Sequence, residues 1–232
     1  MGDGVRGVIL AMVLMGSGSV AARAEACGDL GRIGVPSVGA VARYAFLDAD
    51  SGTAQSVFLE YEYRRARGDR FMVRDRMTDA AGTPLGGETS AGSYLGFLMS
   101  DYASMRQEGG LRRRLDSDAM ARIKALSPGD STDFAFDERL WRHGREHRGR
   151  HRGRVAFTRC DTVDLDGETM AVAVIVLTLW TWDNGDFAAD RLVAQRWLTQ
   201  VRLADGIMVG QWDPDDASTL VQLHHLDLPD GG

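Results

Sequence analysis

The run Thr169 to Trp182, TMAVAVIVLTLWTW, constrains the fold more than any other stretch. Asp166-Gly167 precedes it and Asn184-Gly185 follows it. Such dipeptides supply the positive φ angles of tight hairpin turns, and apolar flanks make them the strongest short-range hairpin signal. Three Val, one Ile, three Thr and two Trp favour a pleated strand over a helix. Ala171, Ala173, Ile175, Leu177 and Leu179 face one way; Val172, Val174, Val176, Trp180 and Trp182 face the other. A strand apolar on both faces is covered on both faces. The run is therefore expected to be the central strand.

The first residues set the compartment. Arg6, an apolar run from Val8 to Leu14, small residues and Ala22-Arg23-Ala24 have the order of a secretory signal peptide, taken to span residues 1–26. Seven unbroken apolar residues are far short of the ~20 that span a bilayer. No later segment is long and apolar enough for a transmembrane helix, and the expected location is periplasmic or secreted. Residues 27–232 are expected to form one β-rich domain. The chain has two cysteines, Cys27 and Cys160. In an exported protein an even, sparse count points to a disulfide.

Alternating patterns mark strands at Val41 to Leu47, Ser56 to Arg65 and Arg70 to Thr78, with Arg67-Gly68-Asp69 as a hairpin turn. Helical spacing of Tyr94, Leu95, Leu98, Tyr102 and Met105 predicts a helix over 91–107. A second is predicted over 115–126, with Met120, Ile123 and Leu126 toward the core, so residues 88–127 read as a helical insertion. Further strands follow at 132–140, 154–163, 191–203, 207–212 and 219–228. The expected architecture is α+β: a curved antiparallel sheet, an open half-barrel or spiral, with two inserted helices.

Residues 141–154 are unusual, with six arginines, three histidines and one glutamate in a chain of net charge −6. They read as a solvated loop, with Arg142, Arg145, Arg148, Arg150, Arg152 and Arg154 as an anion-binding set for lipid phosphates or an acidic partner. His143, His147 and His151 are metal candidates by spacing, although Gly144, Gly149 and Gly153 oppose the helix that would align them. Trp180, Trp182, Trp197 and Trp212 mark a possible ligand face, with ordinary core packing as the competing reading. The acidic total argues against nucleic acid as a partner. The sequence contains no G-x-S-x-G, HExxH or P-loop and suggests neither a catalytic set nor a cofactor. An exported hydrolase with an acid–base pair scattered in sequence stays open.

The run Ile123 to Asp130, followed by Arg154-Val-Ala-Phe157 and Asp166-Gly-Glu-Thr-Met-Ala-Val172, resembles bacterial periplasmic β-proteins of unknown function. These include lipoprotein-carrier half-barrels and envelope-integrity β-spirals. The resemblance covers about residues 40 to 213 as a pattern of strands and turns. It implies a role in envelope maintenance and a concave apolar sheet that holds an acyl chain or peptide. An envelope protein is a further partner it suggests. The His/Arg tract departs from that pattern.

Overall fold

The computed structural model describes residues 27–47, 54–104, 109–142, 144–165, 167–182, 192–213 and 221–229. The expected signal peptide, the expected turn over Asp48 to Gly52 and Asn184-Gly185 lie outside them. Among the described residues twelve strands run in sequence order: β1 Val41–Leu47, β2 Ala54–Arg67, β3 Arg70–Thr78, β4 Thr89–Tyr94, β5 Leu98–Ser104 and β6 Gly109–Leu115. A short helix, α1 (Ala119–Lys124), leads into β7 Ser131–Arg142, β8 Arg145–Leu165, β9 Glu168–Trp182, β10 Leu192–Arg202, β11 Met208–Trp212 and β12 Val221–Asp227.

Every strand pairs antiparallel with its sequence neighbours, and β1 pairs with β12. The meander therefore closes into a barrel. This corrects the expected fold class: the described residues are almost entirely β and form a closed barrel, not an α+β open sheet, half-barrel or spiral with two inserted helices. Closure gives each strand two partners and leaves no open edge, which is the physical advantage of a barrel over an open sheet.

The helix expected over 91–107 is instead the β4–β5 hairpin. Leu95 and Gly96 both take positive φ (51° and 80°) in the turn between the strands. Tyr94 and Leu98, four apart in sequence, become direct cross-strand partners. The register then slips where Ser93 pairs with Met99 and Gly92 with Asp101. A turn and a bulge thus reproduced helical spacing. The second helix exists but is shorter, with Ala119 and Ile123 buried.

One core cluster joins Phe134, Phe136, Val155, Phe157, Ile175, Leu177 and Leu179 to α1 and to Cys27, Leu30 and Ile33. A second gathers Ala42, Tyr44, Tyr63, Phe71, Val73 and Met208. The N-terminal segment is held to the end of the barrel where α1 sits: Leu30 N–H donates to Leu126 O (3.0 Å) and Gly34 N–H to Leu203 O (2.9 Å). Cys27 and Cys160 form a disulfide across 133 positions of sequence. A loop of that length contributes about 4–5 kcal/mol in the chain-entropy account. β9 covers the expected central run, and Val172 to Ile175 are buried on both faces.

Candidate functional site: an arginine face over a buried polar cluster

The tract expected as a solvated loop is the end of β7, a turn at Gly144, and the first half of β8. Along β8, His147, Gly149, His151, Gly153, Val155 and Phe157 alternate with the exposed Arg148, Arg150, Arg152 and Arg154. The glycines are explained by neighbouring rings. A Cβ on Gly153 would lie 2.3 Å from the Phe134 ring, and one on Gly149 would lie 2.7 Å from the Trp182 ring. The aromatic side chains of adjacent strands fill the space these residues leave.

Register aligns the outward charges. Arg112 on β6, Arg139 on β7 and Arg148 on β8 are direct cross-strand partners in one row. The next row is Arg114, Asp137 and Arg150. All of these but Arg150 line a groove of about 590 Å³. Carboxylates on this wall are shared: Asp101 pairs with both Arg70 and Arg112, and Glu146 with both Arg139 and Arg148. Arg150 reaches Asp116 (2.7 Å) and Asp137 (3.3 Å). Arg114 has no carboxylate partner among the described residues. Like charges directly opposite destabilise a sheet pair. The wall therefore holds unneutralised positive charge.

Two rings sit among these cations. Arg152 lies over Trp180 (4.7 Å to the centroid) and Arg139 over Trp141 (5.5 Å), which are cation–π distances. The outer face of this wall thus carries guanidiniums, the reverse of a barrel whose outer band faces lipid tails. No helix among the described residues is long and apolar enough to cross a membrane.

Directly behind the groove lies a buried polar cluster with one member from each of four successive strands. Arg113 Nε donates to Glu138 Oε2 at 2.7 Å, and Thr181 Oγ1 donates to Glu138 Oε1. His151 Nε2 lies 3.9 Å from Glu138 Oε1. The Arg113, Glu138 and His151 side chains are 5 %, 0 % and 5 % exposed. His151 packs edge-on against Trp182 (4.5 Å between centroids) and lies tilted beside Phe136 (5.8 Å). Burial pushes the His151 imidazolium to titrate below its usual range; Glu138 opposes that shift and Arg113 adds to it. Composition gave no hint of this set, although the alternation Leu111-Arg-Arg-Arg-Leu115 places Arg113 on the same face as two leucines.

Of the expected anion-binding residues, Arg148, Arg150, Arg152 and Arg154 share the outer face of β8, and Arg145 is exposed at its start. The Arg142 side chain lies outside the described residues. Arg112, Arg114 and Arg139 complete the face and were missed because they come from other strands.

His143 lies outside the described residues, while His147 and His151 both contact Trp182. Among the described residues no three His, Cys, Asp or Glu side chains gather as metal ligands. The four tryptophans divide between faces. Trp197 pairs with Leu177 and packs on the inner core. Trp180 pairs with Ala194 and Arg152 on the outside. Trp212 pairs with Leu198, the residue after Trp197 and so on the opposite face from it.

No protein-family model matches the chain, and no curated protein matches it. Solved structures with a similar course include a candidate exported protein with a YmcC-like fold from Bacteroides fragilis. It has 15% identity and a TM-score of 0.47, with 87% of this chain and 100% of that one covered. The hypothetical lipoprotein YmcC from Escherichia coli has 10% identity and a TM-score of 0.46, covering 84% and 90%. A candidate lipoprotein from Parabacteroides distasonis has 11% identity and a TM-score of 0.41, covering 87% and 99%.

Proposed function

We propose that the protein is an exported β-barrel of the bacterial cell envelope that docks on anionic lipid headgroups through the arginine face of β6, β7 and β8. The observation that carries this reading is the row Arg112–Arg139–Arg148 across the groove. Three guanidiniums in register, with shared carboxylates, match phosphate oxygens by charge-assisted, bidentate hydrogen bonds. Trp141 and Trp180 beside them suit the interfacial layer, where an aromatic ring bridges apolar and wet surroundings. The signal-like N-terminus and the Cys27–Cys160 bridge support an oxidising, extracytoplasmic location.

The test is cosedimentation with vesicles containing phosphatidylglycerol, against vesicles of phosphatidylcholine alone. Binding should require the anionic lipid and weaken with salt. Each basic side chain near such a surface contributes about 1 kcal/mol, so the R112S/R139S/R148S variant should bind roughly 100-fold more weakly. Inorganic phosphate in the buffer separates a single-anion site from a surface: competition at millimolar phosphate indicates the former. Unchanged binding of the triple variant overturns the reading. Failure to bind anionic vesicles does so too, and would return attention to an acidic envelope protein.

The hydrolase alternative finds its nearest acid–base pair in Glu138 and His151. That carboxylate is already held by Arg113 and Thr181 in the interior. Cys160 is in a disulfide and is not a free thiol. The geometry favours binding.

A further inference from the structure

Eight-stranded barrels are just wide enough for side chains to fill, so a twelve-stranded barrel has interior space to account for. Much of it is occupied by the two core clusters and the N-terminal segment. Between them a cavity of about 100 Å³ remains, walled by Tyr61, Tyr63, Phe71, Phe97, Met208 and Gln211. It reaches the surface beside Met99, which lines it and is 40% exposed. The arginine face plays no part in it.

The walls dictate what fits. Tyr44 packs edge-on against Tyr61 at 5.1 Å, which fixes that ring. Phe71 and Phe97 are 1% and 5% exposed, so their rings are held by the cores on either side. Gln211 Nε2 donates to Thr199 Oγ1 at 3.2 Å, anchoring its amide from behind. Burial pushes the Tyr61 and Tyr63 hydroxyls well above their usual range, so both stay protonated at any physiological pH, with the Tyr44 hydroxyl beside that of Tyr63. An apolar cavity of ~150 Å³ stays dry and takes benzene, whereas water needs two to four polar partners for each molecule. Four rings, two methionines, Val73 and Ala91 make most of the wall apolar, with the two tyrosine hydroxyls, Ser93 and Gln211 as its polar side chains. The space is too small for an extended acyl chain.

We infer that this cavity is a binding site for a compact, neutral apolar group, a ring or short branched alkyl of about benzene size, that carries a hydrogen-bond acceptor for the Tyr61 hydroxyl. Aromatic faces and the polarisable Met208 thioether suit such a group, and the Tyr61 phenolic donor orients it.

The test uses the full chain with benzene, phenol and cyclohexanone as probes, read by chemical-shift changes in NMR titrations. Cyclohexanone and phenol should bind about 3- to 10-fold more tightly than benzene, the difference of one net hydrogen bond. Ala91 also lines the cavity, so A91L fills it and should weaken every probe at least about tenfold. M208A enlarges it and should admit a two-ring probe such as naphthol that the unaltered protein rejects. Three results overturn the inference: no probe perturbs the wall residues, benzene binds as well as cyclohexanone, or A91L binds like the parent. If A91L fails to fold, the size response of M208A decides, and an unchanged size limit overturns it. Vesicle binding is measured in parallel, so failure here is distinguishable from failure of the headgroup reading.

Discussion

Arg113 and Glu138 meet at 2.7 Å inside the barrel, on directly paired positions of β6 and β7, with both side chains withdrawn from solvent. Removing one partner of a buried pair leaves an uncompensated charge, whereas replacing both with apolar residues is often neutral. E138L and R113M are each expected to lose about 3–5 kcal/mol of unfolding free energy. The double variant should recover most of it. Urea denaturation of the three proteins checks this, and equal losses in singles and double would contradict it.

His151 gives the barrel a pH dependence of known sign. Its folded-state titration lies below its unfolded value, chiefly because of burial. Above ~6.5 the ring is neutral in both states and the shift has no effect. As pH falls through that value the unfolded chain takes up a proton that the folded chain resists, so stability declines until the folded pKa is reached. The difference in Tm between the parent and H151N should therefore change between pH 7.5 and 5, with the parent losing more. Parallel curves would exclude the histidine as the source.

The glycines of β8 respond to substitution through their neighbours. G153A sets a methyl against Phe134 and Leu179, and G149A sets one against Trp182. Overpacking of this kind costs about 1–3 kcal/mol. Gly86 has nothing within 4 Å of an added Cβ, and G86A should stay within about 0.5 kcal/mol of the parent. Thermal unfolding of the three variants distinguishes ring contact from a general intolerance of alanine.

These glycines also show why the sequence was readable in some places and opaque in others. β1 and β3 run over the residues their alternation predicts, and β9 adds only Glu168 to its predicted run, because side chains of each strand supply its own apolar pattern. In the first half of β8 the inward positions are His147, Gly149, His151 and Gly153, and the apolar filling comes from Phe134 and Trp182 on neighbouring strands. A pattern borrowed from across the sheet is invisible along the chain. The arginine face has the same origin: its sequence-contiguous half was evident, while Arg112, Arg114 and Arg139 join it only through strand register. Tyr94, Leu95 and Leu98 erred in the other direction, since a turn with two positive-φ residues placed them at helical intervals without a helix. The two cysteines were legible because so sparse a pair leaves a single intramolecular pairing.

The pairing of β1 with β12 has a consequence for how the protein is made. Val41 to Phe46 wait for Val221 to Asp227, so the first strand to emerge is completed by the last. Until then both strands expose unpaired backbone, the state in which β-rich chains associate wrongly. A closing contact between opposite ends of the chain also makes for slow folding. For a chain delivered N-terminus first across a membrane, that interval lasts as long as translocation itself. The protein's greatest exposure to aggregation therefore falls during its biogenesis, while the sheet is still unclosed.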